Sequence, residues 1–250
     1  MLASLILAAR FLTVVPIPGR VAQGGNVLGR AAWWFPIVGL LLGAALAGMD
    51  RLFVLALPPL LAAGLVLSLW KVATGGIHLD GLADCLDGLG GRDLEHRRSI
   101  MRDSRIGAFG AIGLILYVLL AFLALAAIPA ETRGRVLLLA PALGRLAPLL
   151  VGPRFPAATP GRGAGAAFVT AMSRWAGPAN LVAVLALAAW LLGAWGVVVT
   201  SGALATAFLA SAGLATRFGG VTGDVLGAGV ELCELAVLLA VAALAHRGLI

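Results

Sequence analysis

The sequence predicts an all-α polytopic membrane protein with about seven transmembrane helices and a cytoplasmic acidic helical loop. Of its 250 residues, 61% are hydrophobic and only 12% are charged, and the mean hydropathy is +1.05. Soluble domains are about 45–50% apolar and about 25% charged, so this chain has too few charges to cover itself in water. At about 20 residues per span, the length allows roughly six to eight crossings in one integral membrane domain, residues 1–250.

Apolar segments follow one another along the whole chain. Apolar residues between Leu2 and Leu12 recur at helical spacing, which predicts a short amphipathic helix at the membrane interface. The predicted spans are residues 31–49, 52–70, 107–130, 136–152, 181–200, 201–216 and 225–245. Pro58 and Pro59 fall inside the second span, and membrane helices tolerate internal prolines when neighbouring groups satisfy the freed carbonyls.

Basic residues are distributed unequally between the two ends of the predicted spans. Alternation of seven spans puts the N-terminus and three loops, residues 71–106, 153–180 and 217–224, on one side of the membrane. That side holds 13 Lys and Arg residues, and the other side holds four. The positive-inside rule therefore predicts that this side faces the cytoplasm. Because the same rule accounts for the formal net charge of +7, we expect no nucleic-acid partner.

Three aspartates form a stripe in the first of these loops. The segment GGIHLDGLADCLDG places Asp80, Asp84 and Asp87 at i, i+4 and i+7, within an arc of roughly 60° on a helix. No Lys or Arg lies between them, and like charges on one stripe repel each other, so a cation is expected there. Oxygen ligands favour a hard cation such as Mg²⁺, which is usually shared with substrate phosphates. The alternative is a solvated amphipathic helix at the cytoplasmic surface.

Basic residues follow the acidic stripe. Arg102 and Arg105 lie about one helical turn apart, and guanidinium groups bind phosphate oxygens through paired hydrogen bonds. We expect a phosphate clamp, with anchoring of the next span by positive charge as the alternative. Arg154, Arg162 and the glycine-rich residues 161–165 form a second basic loop, which either covers a phosphate ligand or only links two spans.

A second acidic cluster lies at the start of the last span. A shift of 144 positions superimposes its Gly-Gly pair, Asp224 and Glu231 on the Gly-Gly pair, Asp80 and Asp87 of the first cluster. If this short repeat is real, the two acidic helices face one shared site, as repeats in membrane proteins often do.

Two carboxylates of the second cluster lie inside a hydrophobic span. Glu231 and Glu234 are more than one helical turn from its predicted start. Carboxylates at this depth are costly and normally face a cavity or a partner of opposite charge. Arg145, which lies inside another predicted span, is the expected partner.

Longer motifs resemble those of a known family. GGIHLDGLADCLDGLGG and IMRDSRIGAFG are similar to motifs of the cobalamin synthase family, the adenosylcobinamide-GDP ribazoletransferases. FLTVVPIP, WWFPIVGLLLG and GGVTGDVLGAGVELCEL resemble other motifs of that family in the same order. The resemblance covers nearly the whole chain, and in residues 116–221 little more than hydrophobicity is shared.

The resemblance implies a reaction, its substrates and a cofactor. A hydroxyl of α-ribazole, or of its 5′-phosphate, would displace GMP from adenosylcobinamide-GDP and give adenosylcobalamin or its 5′-phosphate. The enzyme would use Mg²⁺ and would be a multi-pass protein of the bacterial cytoplasmic (inner) membrane, with its active site on the cytoplasmic side.

The resemblance and the chemistry of the residues together suggest a role for each candidate. The expected metal ligands are Asp80, Asp84, Asp87, Asp224 and Glu231. The expected catalytic residues are Asp103, His78, Arg102 and Arg105. The arginines would stabilise the departing GMP phosphate, and either Asp103 or His78 would deprotonate the attacking hydroxyl.

Two other functional classes stay open. The segment DCLDGLGGR, residues 84–92, resembles part of the acidic motif of CDP-alcohol phosphotransferases, but the later Gly and paired Asp of that motif do not follow at the required spacing. A transporter would use Glu231 and Arg145 as coupling residues and would carry most of its acids at mid-membrane. Six of the eleven acids instead lie between Asp80 and Asp103, which favours an enzyme.

Overall fold

A computed structural model describes residues 1–18, 25–159 and 164–250, so Arg162 of the second basic loop lies outside the described residues. Within these ranges the chain folds into α-helices and two 3₁₀ turns and forms no β-strand, which confirms the predicted all-α class. The helices are α1 (Leu2–Leu12), α2 (Gly25–Ala31), α3 (Phe35–Ala56), α4 (Pro59–Ala73), α5 (Ile77–Leu89), α6 (Leu94–Ile100), α7 (Ala108–Ala127), α8 (Ala130–Val151), α9 (Ala164–Ala171), α10 (Ala176–Leu192), α11 (Ala194–Phe218) and α12 (Gly223–His246).

Five segments of the described chain are long and apolar enough to cross a membrane. They are α7, α8, α11, α12 and the segment Val27–Ala56, which contains α3. Two more apolar helices lie at predicted spans but are shorter, α4 with 15 residues and α10 with 17. A polytopic membrane protein is therefore confirmed. By length and composition, five segments of the described chain qualify as spans, or six if α4 and α5 are counted together as one bent span, and the count of seven stays a prediction.

Two predicted span boundaries are wrong. Leu57 and Pro58 are extended between the end of α3 and the start of α4 at Pro59. Proline disfavours a helical conformation in the residue before it and is tolerated in the first turn of a helix. Pro58 and Pro59 therefore separate two helices instead of lying inside one. The boundary predicted at residue 200 lies instead at Gly193, which has a positive φ and follows Leu192, the last residue of α10.

The bundle is organised around α8. This helix packs against α3, α10, α11 and α12, and most of its side chains are buried. Large apolar residues on α7 face outward instead, with Phe109 and Ile115 65% and 66% exposed. Outward-facing apolar side chains on a helix of this length are what contact with lipid acyl chains requires, so the lipid bilayer is the partner of this surface.

The described parts of the three long loops meet at one end of the bundle. Arg98 donates hydrogen bonds to the backbone oxygens of Phe218 and Ala158, at 3.0 and 2.9 Å. Ala158 N–H also donates to Val221 O at 3.0 Å. These contacts join residues 71–106, 153–159 and 217–224, so the prediction that the three loops share one side is confirmed.

The acidic helix is separated from the span before it by a sharp turn. Gly75 and Gly76 have φ values of +62° and +66°, a left-handed conformation that glycine adopts without a steric penalty. The turn places α5 at 86° to α4. As a result, α5 does not continue the direction of α4 and packs beside α7 and α12 at the loop end of the bundle.

Candidate active site

The predicted acidic helix exists, and it is amphipathic. α5 covers the whole stripe and buries Leu82 and Cys85, whereas Asp80 is exposed and Asp84 is half-buried. A Cβ on Gly81 would lie 2.9 Å from Cα of Asp224, so only glycine allows α5 to approach α12 this closely. The crossing of the two helices therefore brings Asp224 next to the acidic stripe.

A groove of about 730 Å³ runs along α5 and the loop that follows α6. Asp80 and Asp84 line it from the helix. Arg102, Asp103 and Arg105 line it from the loop. The structure thus brings five of the predicted site residues to one place, with two carboxylates on the helix side and two arginines and Asp103 on the loop side.

Asp84 lies where negative charge is concentrated. Burial and the nearby carboxylates of Asp80, Asp224 and Asp87 raise the pKa of Asp84 to about 6. A raised carboxyl pKa means that the ionised form is disfavoured, and a bound cation would remove that penalty. Within the described residues, no group of three or more His, Cys, Asp or Glu side chains is arranged to hold a metal ion by itself. The carboxylates here match a hard cation that takes its other ligands from substrate phosphate and water.

The arginine loop differs from its prediction. α6 ends at Ile100, so Arg102 and Arg105 lie in an irregular segment and not one turn apart on a helix. Arg105 donates from its guanidinium Nη2 to Asp103 Oδ2 at 2.6 Å and from Nε to Oδ1 at 3.0 Å. These hydrogen bonds hold the pKa of Asp103 at about 2. Asp103 is therefore a weak proton acceptor near neutral pH, and it orients Arg105.

Asp87 has a structural partner that the sequence pattern did not reveal. The backbone N–H groups of Gly107 and Gly110 donate to its two carboxylate oxygens, each at 2.8 Å. Gly107 immediately precedes α7 and Gly110 lies in its first turn, where N–H groups have no partner within the helix. Asp87 thus caps α7 from another helix and fixes α5 against it, and it is not among the residues that line the groove.

Glu231 lies in a buried ion-pair network and not at the groove. Lys71 Nζ donates to Glu231 at 2.6 Å and to Glu234 at 2.9 Å, and the two glutamates are each 1% exposed. Arg145, the predicted partner, pairs with Glu234, and Lys71 also donates to Tyr117 Oη at 3.0 Å. Lys71 was missed, although it is the only lysine in the chain and follows an apolar segment, which is a signal that could have found it.

A second space adjoins the groove. It is a cavity of about 210 Å³ whose lining includes His78, Arg145 and Asp224. Asp80 and Ile77 line both this cavity and the groove. His78 and Asp224, predicted to act at the same centre as Asp84, therefore face a neighbouring chamber that meets the groove at Asp80.

The predicted repeat has a counterpart in the backbone. Gly219 and Gly220 have positive φ values, as Gly75 and Gly76 do. In both places the glycines precede a helix with an aspartate near its start. These two helices, α5 and α12, pack against each other.

The sequence profile of the cobalamin-5-phosphate synthase family matches residues 4–242. The chain belongs to this family. An adenosylcobinamide-GDP ribazoletransferase of Pseudomonas paraeruginosa is 42% identical over 96% of this chain and 98% of its own length. Proteins of the same name from Chlorobium phaeobacteroides and Desulfitobacterium hafniense are 39% and 36% identical, and each alignment covers 93% of this chain and 94% of the relative. No solved structure matches the chain. The family resemblance seen in the sequence motifs is thereby confirmed.

Proposed function

We propose that this protein is an adenosylcobinamide-GDP ribazoletransferase of the bacterial cytoplasmic membrane. It joins α-ribazole, or its 5′-phosphate, to adenosylcobinamide-GDP and releases GMP. The observation that carries the proposal is the groove, in which Asp80 and Asp84 face Arg102 and Arg105. This combination of carboxylates and guanidinium groups suits a diphosphate and a hard cation.

The transfer exchanges one phosphorus–oxygen bond for another. A ribose hydroxyl oxygen of α-ribazole bonds to the phosphorus on the corrinoid side of the diphosphate. The bond from that phosphorus to the bridging oxygen breaks, and GMP leaves with the oxygen and its electron pair. The hydroxyl proton passes to a base. Such a reaction needs positioning and charge neutralisation and little covalent work by the protein.

Two carboxylates that line the groove, Asp80 and Asp84, would hold Mg²⁺ together with substrate phosphate and water, and Asp224 lies next to them on α12. When bound, the ion neutralises charge on the diphosphate and on its leaving group. The raised pKa of Asp84 supports this assignment, because both causes of the shift, burial and the neighbouring carboxylates, disfavour the ionised form that a bound cation would stabilise. Asp87 acts as a residue that positions α5. Glu231 is not a ligand of the proposed metal site, because Glu231 is paired with Lys71.

The arginines have separate tasks. Arg105, oriented by Asp103, would bind phosphate oxygens of the departing GMP, and Arg102 lines the same side of the groove. Because Asp103 accepts hydrogen bonds from Arg105, His78 is the proposed acceptor of the hydroxyl proton. His78 faces the chamber that meets the groove at Asp80.

The groove belongs to the side of the membrane that carries the basic loops. On the predicted alternation of spans, that side holds 13 of the Lys and Arg residues and the other holds four, which supports a cytoplasmic groove by the positive-inside rule. Nucleotide substrates are cytoplasmic, so this orientation gives them direct access. An alkaline-phosphatase fusion at the Gly193 turn and one in the loop at Glu95 should report opposite sides of the membrane.

The first test is the reaction itself. Purified protein in detergent or liposomes is given adenosylcobinamide-GDP, α-ribazole and Mg²⁺, and GMP and the corrinoid product are measured by chromatography. We expect both products in equal amounts, and their loss on addition of EDTA. Folded protein that forms neither would refute the proposal, and CDP-alcohol substrates would be tested next.

A further inference from the structure

The cavity beside the groove has mainly apolar walls, with an aromatic row along one of them. Phe11, Phe35 and Phe168 line it. Their ring centroids are 5.9 and 5.3 Å apart, and the ring planes in each pair are inclined by 19°. Stacked rings of this kind favour a planar aromatic ligand, because offset stacking adds to the gain from apolar burial.

Two polar groups of the cavity lining lack partners among the described residues. They are Nδ1 of His78 and Nε of Arg145, which belong to residues only 7% and 1% exposed. Buried polar groups are normally hydrogen-bonded, so two such nitrogens beside one cavity indicate a ligand. Such a ligand is mostly apolar and presents few hydrogen-bonding atoms.

The cavity adjoins the groove, so a ligand bound in it lies next to the proposed diphosphate site. Asp80 and Ile77 line both the cavity and the groove, and Asp224 lines the cavity close to Asp84, whose pKa it helps to raise. A ligand whose ring lies among the phenylalanines can therefore present an attached hydroxyl to the diphosphate in the groove.

We propose that this cavity binds the base of α-ribazole, a planar benzimidazole with two methyl groups, and directs the attached ribose towards Asp80. The inference rests on the proposed function and adds a binding site and a base class to it. The base has a single free ring nitrogen, which accepts a hydrogen bond, and the Arg145 Nε–H is always a donor. His78 is then available to a ribose hydroxyl.

The other parts of the substrates fit this cavity less well. Guanine carries several donors and acceptors on its edge, and the two nitrogens described above would leave most of them unsatisfied at a cost to binding. The corrin macrocycle is several times larger than a space of about 210 Å³. The open groove and the membrane-facing surface beside it are the regions that can accommodate these larger groups.

The first test replaces one stacked ring by an apolar side chain of similar size. Phe168→Leu should raise the KM and the dissociation constant for α-ribazole about two- to tenfold, because ring stacking is lost. The KM for adenosylcobinamide-GDP should not change. The dissociation constant is measured by α-ribazole fluorescence without the second substrate. Phe208→Leu is the matched control, since Phe208 packs against Phe155 outside the cavity, with ring centroids 5.7 Å apart, and should change neither constant.

The second variant fills the cavity without emptying the core. Leu226 lines the cavity and is 7% exposed, so Leu226→Phe should weaken binding of α-ribazole more than binding of the riboside of unsubstituted benzimidazole. Unchanged α-ribazole constants in both variants, or an increase only for adenosylcobinamide-GDP, would overturn the cavity assignment and leave the transfer reaction standing. Wild-type protein that neither releases GMP nor binds α-ribazole would refute the proposed function and this inference together.

Discussion

Removal of the Lys71 ammonium should destabilise the protein strongly. Lys71 contacts both Glu231 and Glu234, at 2.6 and 2.9 Å, and the glutamate side chains are 1% exposed. With Arg145, which pairs with Glu234, the network has two positive and two negative groups. Lys71→Met retains the apolar stem but leaves one buried negative charge without compensation.

The size of the effect follows from that uncompensated charge. Breaking a buried pair by removing one partner costs about 3–5 kcal/mol. For a chain of this length, each kcal/mol corresponds to roughly 2–4 °C in melting temperature. We therefore expect the melting temperature of Lys71→Met to fall by roughly 6–20 °C.

The assay is thermal unfolding in detergent, followed by the fluorescence of the six tryptophans. Arg51→Met is the matched control, because Arg51 is exposed and its loss should cost at most about 0.5 kcal/mol. The double variant Lys71→Met/Glu231→Gln restores charge balance and should regain a large part of the lost stability. A small shift for Lys71→Met, or a double variant less stable than the single one, would refute the reasoning.

Three further predictions concern the groove. Asp87→Ala leaves the N–H groups of Gly107 and Gly110 without their acceptor and should lower the unfolding free energy by about 1–3 kcal/mol; an unchanged denaturation midpoint would contradict the capping role. Asp84 has a pKa of about 6 in the folded chain, which is above its value in the unfolded chain. The protonated carboxyl therefore contributes stability at low pH. Without divalent cations, this contribution is lost as the pH rises from about 4 to about 7. The melting temperature of the wild type should fall relative to that of Asp84→Asn over this pH range and should recover when Mg²⁺ is added. A difference between the two melting temperatures that stays constant would count against the assignment of Asp84 to a metal site. Arg105→Lys retains the charge but loses the paired hydrogen bonds, so it should lower kcat, and wild-type kcat would remove Arg105 from the reaction.

Local patterns predicted the elements that build the groove. The spacing of Asp80, Asp84 and Asp87 predicted an amphipathic helix, and the structure has that helix at Ile77–Leu89. The distribution of basic residues predicted that the three loops lie on one side. Each of these features depends on residues close together in sequence or on the charge balance of whole loops.

The partners of individual carboxylates could not be read in the same way. Asp87 accepts a hydrogen bond from Gly107, 20 residues later, and Lys71 pairs with Glu231, 160 residues away. Both contacts depend on how helices pack, which spacing along one helix does not encode. The sequence showed that Glu231 needed a partner or a cavity, but its charge alone could not distinguish a metal ion from a lysine.

The most direct measurement compares GMP release by the wild type, Asp84→Asn and Glu95→Gln over a range of Mg²⁺ concentrations. Asp84 lines the groove, whereas Glu95 is an exposed acid on α6, so both variants remove one negative charge but only one alters the site. The proposed function predicts Mg²⁺-dependent release by the wild type and Glu95→Gln, and none by Asp84→Asn that is inserted normally into the membrane. Equal release by all three proteins, or release that is insensitive to Mg²⁺ and EDTA, would contradict it.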